Sequence, residues 1–194
     1  MKNLSKSDVE IFIHPLADVH TTQIGNGSVI WQFSVILEGA KIGSNCNINC
    51  HTFIEAKVEI GDNVTIKSGC YLWDGITIEN NVFVGPNVVF TNDLRPRSKK
   101  RVIHPQTKIG EGASIGANST ILGGVTIGKY AMTGIASVVT RDIPDYALVY
   151  GNPARVKGWV DETGEKLISI SPTQFISNEG IRFELSNNML KRLP

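Results

Sequence analysis

The sequence predicts an all-β fold, a solenoid coiled from three short parallel strands per turn. Every sixth residue from Ile24 is large and apolar through twelve unbroken steps: Ile24, Ile30, Ile36, Ile42, Ile48, Ile54, Ile60, Ile66, Leu72, Ile78, Val84 and Phe90. With 41% hydrophobic residues, such a run in any of six registers arises by chance on the order of once in ten thousand sequences. Two places before these residues stand Ser28, Ser34, Ala40, Cys46, Thr52, Val58, Val64, Cys70, Ile76, Val82 and Val88, mostly small or β-branched, which suits short strands. Gly25, Gly43, Gly61 and Gly85, with Asn and Asp nearby, are expected to supply corner residues that tolerate positive φ.

A period of six is neither helical nor a two-residue alternation, and it fits a coil of three strands with one large side chain filling the interior from each. Three hexads make an 18-residue coil, so Ile24 to Phe90 spans four stacked coils and equivalent corners recur every eighteen residues. The register resumes at Ile109, Ile115, Ile121, Ile127, Thr133 and Val139, adding two more. The interval from Phe90 to Ile109 is nineteen residues, one more than a full coil. The segment TNDLRPRSKKRVIHPQTK is therefore expected to form a protruding loop at about 91–108, or a coil that carries one, where function tends to sit. After Val139, TRDIPDYALVYGNPARVKGWV is a turn-rich exit. The expected organisation is one solenoid domain over residues 1–158 and a C-terminal extension over 159–194, a short helical or extended cap on the open end.

At 194 residues and a formal charge of +1, the chain does not offer a whole surface to nucleic acid. The opening MKNLSKSDVEIFIHP lacks the apolar core of a secretory signal, and no run is long enough to cross a bilayer, so a cytoplasmic protein without membrane contact is expected. Three cysteines, Cys46, Cys50 and Cys70, are too few and odd in number for a disulfide framework, and free thiols are expected. Cys46, Cys50 and His51 lack the second ligand pair of a structural zinc site, so no metal is expected.

The corner position two after the apolar site gives a vertical file of Glu38, Ala56, Asp74 and Asn92, flanked by Leu37, Glu55, Trp73 and Thr91. Its upper end combines an aromatic, a carboxylate and an amide beside the loop, a plausible binding constellation. Arg95, Arg97, Lys99, Lys100 and Arg101 place five cations in seven residues on that loop, suited to charge-assisted hydrogen bonds with a nucleotide diphosphate. None of His14, His20, His51 and His104 stands out as a general base.

Residues 13–158 resemble the hexapeptide repeat of left-handed parallel β-helix acyltransferases, and the handedness is taken from that resemblance. WDGITIENNVFVGPNVVFTNDLRPRS, IGANSTILGGVTIG and VYGNPAR are similar to bacterial N-acetyltransferases acting on the 3-amino group of nucleotide-linked deoxy sugars. The resemblance implies a homotrimer with active sites at subunit interfaces and acetyl-CoA lying along the β-helix. It implies that Asn92 contacts the sugar near the reacting amine as the catalytic residue, that Asp74, with Trp73 and Glu55 at the same corner, binds the sugar, and that Arg97 meets the nucleotide phosphates. For the cofactor it implies pantetheine against Ala117, Gly134 and Ala136, with Arg141, Arg155 and Lys129 near the CoA phosphates. Enzymes of this kind acting on a uronic-acid sugar carry histidines in the first Trp-containing repeat. Here that stretch reads IWQFSVI, with Gln32, which favours the thymidine-nucleotide branch acting on 3-amino-3,6-dideoxyhexoses.

The implied reaction needs a neutral amine, an aligned thioester and donors for a tetrahedral oxyanion. A sugar amine beside electron-withdrawing oxygens is less basic than lysine, so the expectation is direct attack without a strong protein base, the thiolate taking the proton. Feeding surface-glycan synthesis is the expected role. The alternatives are an O-acetyltransferase of the same fold acting on serine or a sugar hydroxyl, and a non-catalytic scaffold, which acetyl-CoA binding would separate from both enzymes.

Overall fold

A computed structural model describes residues 10–100, 102–187 and 189–193, so Arg101 of the cationic loop lies outside the described residues. Short strands stack into three parallel sheets that form the faces of a prism. Face one runs from Phe12–Ile13 through Val29–Ile30, Asn47–Ile48, Thr65–Ile66, Phe83–Val84, Ser114–Ile115 and Met132–Thr133 to Ala147–Tyr150, where Arg155–Trp159 adds on antiparallel. Face two runs from Asp18–Val19 to Val138–Val139. Face three runs from Lys41–Ile42 to Thr126–Ile127, lengthened by the single bridges Ile24 to Ile42 and Ile127 to Ile143.

Successive side chains on a strand point to opposite sides, so a two-residue strand turns one residue in and one out. The hexad residues are the inward ones: Ile30, Ile36, Ile48, Ile54, Ile66, Leu72, Ile115 and Ile121 are fully buried in one continuous core. Each such side chain contributes about 1.5–3 kcal/mol by leaving water. The small-residue slot is also buried, and its polar members satisfy corner carbonyls. Ser28 Oγ donates to Gly43 O at 2.8 Å, Ser34 Oγ to Asn49 O at 2.9 Å, and Cys70 Sγ to Gly85 O at 3.2 Å. All three cysteines are free, and burial pushes the Cys70 thiol up to about 11.

Two expectations are corrected. Gly25, Gly43, Gly61 and Gly85 are not the positive-φ residues; that conformation falls two places later, on Gly27, Asn45, Asn63 and Asn87. The earlier glycines are required because the next coil lies directly against them: a Cβ on Gly85 would stand 2.7 Å from Ala117 N. The solenoid is also longer than six coils, by a turn at each end. In the first turn Val19 pairs with Ile36, and Ile24 follows Val19 after five residues instead of six. In the last turn Ile127 bridges Ile143, sixteen residues on. Both ends therefore lie outside the strict hexad.

The loop resolves in the same way. Ile78 pairs with Ile109, a spacing of 31 where a coil takes 18, so 13 residues are inserted after Phe90 and the chain re-enters at Thr107–Ile109. It is an excursion within one coil. The C-terminal segment is extended, with a four-stranded antiparallel sheet of Ile168–Ser169, Gln174–Ile176, Arg182–Ser186 and Met189–Arg192. Phe183 of this sheet is fully buried, edge-on to Tyr146 of the last coil at 5.7 Å, which joins the sheet to the solenoid core.

Candidate active site

The corner between faces two and three is braced from coil to coil by its own side chains. Glu55 Oε2 accepts from the Asp74 backbone N–H at 2.6 Å, and Asp74 Oδ1 accepts from Lys57 N–H at 2.9 Å. One carboxylate oxygen of each residue is thus spent on holding the corner. Trp73 donates its indole N–H to Phe90 O at 2.9 Å. Its ring packs against Phe53 and Tyr71 and lines an open apolar groove of about 390 Å³ on face two, which Asp74 does not share.

The loop leaves at Thr91 and Asn92, and its two ends are anchored to the neighbouring coils. Thr91 N–H donates to Ile121 O at 3.0 Å, and Thr91 Oγ1 accepts from Gly123 N–H at 3.1 Å. On the return, Thr107 N–H donates to Gly75 O and Thr107 Oγ1 accepts from Gly124 N–H, each at 2.9 Å. The loop thereby encloses two adjoining clefts of about 310 Å³ each. One holds Lys57, Asp74 and His104; the other holds Asn92, Asp93, Arg95 and Lys100; Val102 and Ile103 line both. Arg97 is exposed, donates to Pro96 O at 2.8 Å and lines neither cleft.

The residues expected to meet the cofactor divide among the corners. Subtracting the insertion, Arg141 falls on the same file as Asp74 and Asn92, because Phe90 pairs with Ile121 and Ile121 with Val139. Ala117, Gly134 and Ala136 lie together on the corner between faces one and two, where Ala136 N–H donates to Ala117 O at 2.8 Å. A Cβ on Gly134 would stand 2.8 Å from Tyr150 Cβ, so the next coil requires a glycine there, and the adjoining Ile135 is exposed on the same corner. Lys129 lies on the third corner, where it meets Glu111 at 3.3 Å, and that carboxylate holds the ammonium above its ordinary pKa. Arg155 opens the antiparallel strand opposite Tyr150.

Two contributors were not identified from the sequence. Gly123 admits the backbone of Thr91 and Asn92: a Cβ there would stand 2.7 Å from Thr91 O and 3.1 Å from Asn92 Cα. His104 returns to the loop entrance, with Nδ1 at 3.3 Å from both Asn92 O and Asp93 Oδ1. Among the described residues no group of three or more His, Cys, Asp or Glu is arranged to hold a metal, and no helix is long and apolar enough to cross a membrane.

Residues 21–56, 57–92 and 106–140 match the bacterial transferase hexapeptide (six repeats) family, together more than half of the chain. This chain belongs to the hexapeptide-repeat acyltransferases. Within that family it is 54% identical to dTDP-3-amino-3,6-dideoxy-alpha-D-galactopyranose 3-N-acetyltransferase of Aneurinibacillus thermoaerophilus, over 98% of this chain and 99% of that relative. Among solved structures, LpxA, a UDP-N-acetylglucosamine acyltransferase from Bacteroides fragilis, superimposes with a TM-score of 0.65 at 22% identity, covering 77% of this chain and 61% of that one. This hexapeptide-repeat chain thus spans about three fifths of that LpxA. AntD, an N-acyltransferase from Bacillus cereus solved as a mutant with dTDP and coenzyme A, superimposes with a TM-score of 0.57 at 20% identity, covering 80% and 87%. Both support the left-handed β-helix that the hexapeptide-repeat resemblance implies.

Proposed function

We propose that this acyltransferase moves an acetyl group from acetyl-CoA to the 3-amino group of a dTDP-linked 3-amino-3,6-dideoxyhexose, in the cytoplasm, for surface-glycan synthesis. The observation that carries the reading is the near full-length identity of 54% to an enzyme named for that reaction. The clefts are consistent with it. Asp74 and Asn92 offer oxygen and amide groups to a sugar, and Arg95, Arg97 and Lys100 stand on the adjoining loop to meet a diphosphate.

Part of the amine is neutral near physiological pH, and it attacks the thioester carbonyl directly while Asn92 orients the sugar. Acetyl-CoA lies along the solenoid with pantetheine against the backbone of Ala117, Gly134 and Ala136, and Arg141 and Arg155 meet its phosphates. On one chain the sugar corner and the pantetheine corner are separated by face two. A homotrimer that pairs the sugar corner of one copy with the pantetheine corner of the next brings them together. The half-exposed Phe33, Tyr71 and Val89 support such pairing.

Thiol release from acetyl-CoA, followed with a panel of thymidine- and uridine-linked 3-amino and 4-amino sugars, tests the reading. Rapid turnover with a dTDP-linked 3-amino-3,6-dideoxyhexose is the expected result. Turnover only with hydroxyl acceptors refutes it.

A further inference from the structure

We infer that the apolar groove on face two receives the tail of a longer acyl group, so that this enzyme transfers short- and medium-chain fatty acyl groups from CoA, as well as acetyl, to the same amine; this rests on the acetyltransferase reading above. At about 390 Å³ the groove has the size of a small-molecule site. The resemblance implies a sugar contact for Trp73, yet its ring lines this groove with Phe53 and Tyr71, while Asp74, one residue on, lines the sugar cleft instead.

The register of the coils puts the groove in line with the cofactor. Ile115 pairs with Val84, Val84 with Ile66 and Ile66 with Ile48, so Ala117, Pro86, Ser68 and Cys50 form one file down the corner between faces one and two. With pantetheine over Ala117, Pro86 is the next step down, and it shares its coil with Asn92. A closed ring of copies about an axis along the solenoid keeps each residue at its own height. The thioester that meets the amine beside Asn92 of one copy therefore lies at the Pro86 level of the next. Strands are about 4.8 Å apart, so the groove opens one coil below that level, at Tyr71 and Trp73, and runs down two more coils, past Phe53 to Phe33 and Val35. The residue on the way, Ser68, is small and turns its hydroxyl to Cys50 Sγ at 3.2 Å.

The groove suits a hydrocarbon chain. Among the described residues no carboxylate, ammonium or guanidinium lines it, and the one imidazole, of His51, is stacked on Phe33 at 5.2 Å. Phe33 and Tyr71 stand half-exposed at its rims, whereas Thr52 on its floor is buried. A neighbouring copy resting on the rims roofs the groove and leaves the floor of Val35, Thr52 and Phe53 to the chain. The transfer balances as acetyl transfer does. The amine nitrogen bonds to the acyl carbonyl carbon, the C–S bond breaks, and the proton shed by nitrogen passes to the thiolate, giving the longer amide and CoASH.

The test uses the full chain with a dTDP-linked 3-amino-3,6-dideoxyhexose and acetyl-, butyryl-, hexanoyl- and octanoyl-CoA, reading thiol release and the mass of the amide. Butyryl- and hexanoyl-CoA are expected to give kcat/KM within about tenfold of acetyl-CoA. Val35→Trp, which fills the floor, is expected to lower kcat/KM for hexanoyl-CoA about tenfold or more and to leave that for acetyl-CoA within about twofold. Phe53→Ala, which widens the floor, is expected to raise octanoyl-CoA several-fold relative to acetyl-CoA, and it reports on the groove should Val35→Trp fold poorly. If acetyl transfer proceeds while butyryl- and hexanoyl-CoA both run more than about tenfold below it, the neighbouring copy fills the groove and the inference fails alone. It fails equally if Val35→Trp slows every acyl-CoA to the same extent. If the wild type transfers no acyl group to any amino sugar, the functional reading fails and takes the inference with it.

Discussion

Replacing Gly123 with alanine sets two effects of opposite sign against each other. The φ of Gly123 lies outside the left-handed region, so alanine fits the backbone there and restricts the unfolded chain, a gain of about 0.4–1 kcal/mol. Against this, the new Cβ stands 2.7 Å from Thr91 O and 3.1 Å from Asn92 Cα. Normal non-bonded separations are reached only if the two strands part by roughly 0.5 Å or more. Thr91 cannot yield freely, since its N–H donates to Ile121 O at 3.0 Å and its Oγ1 accepts from Gly123 N–H at 3.1 Å. Overpacking of this kind costs about 1–3 kcal/mol, so the steric effect wins by about 1–2 kcal/mol. For a chain of this size that lowers Tm by roughly 2–8 °C. The shift falls on Asn92, and because a 1 Å misplacement of a reacting group costs about 10²-fold, kcat/KM is expected to drop about tenfold. Thermal melts and thiol-release kinetics on Gly123→Ala measure both. An unchanged Tm with kcat/KM within twofold of wild type refutes the claim that this close approach positions Asn92.

Four further outcomes are expected. Asn92→Ala lowers kcat/KM by about 10²-fold with the acetyl-CoA KM nearly unchanged, and a loss below threefold contradicts its role in orienting the sugar. Arg97→Ala raises KM for the dTDP-sugar several-fold, more so at low salt, and leaves kcat in place; a change in kcat alone would show that it serves something other than phosphate binding. Ile66→Ala empties a fully buried core position, and a loss of about 2–5 kcal/mol lowers Tm by roughly 4–20 °C in a calorimeter. With the Cys70 thiol pushed up to about 11 by burial, roughly one part in a thousand is thiolate at pH 8, so a thiol reagent labels the partly exposed Cys50 first and reaches Cys70 only on unfolding. Equal labelling of the three in the native protein would contradict the packing described.

The hexad made the solenoid legible in the sequence, because each six-residue unit repeats the same demand for one large inward side chain and one small one. Ile48, Ile66 and Val84 stack on face one for that reason. The loop was legible as a break in register, and the corner file of Asp74 and Asn92 as eighteen-residue arithmetic. The terminal turns were not, because Val19 to Ile24 and Ile127 to Ile143 depart from the period while keeping the inward residue in place. The corner glycines were read for their conformational freedom, whereas contact with the next coil is what requires them at Gly25, Gly43, Gly61 and Gly85. Tertiary structure alone decided that Gly123 faces Asn92 and that Arg141 shares its file, since both depend on where a thirteen-residue insertion re-enters the stack. It also decided that His104 turns back onto Asn92 and Asp93. A repeat encodes its own stacking locally, but the path of an irregular loop is fixed only by the closed coils on either side of it.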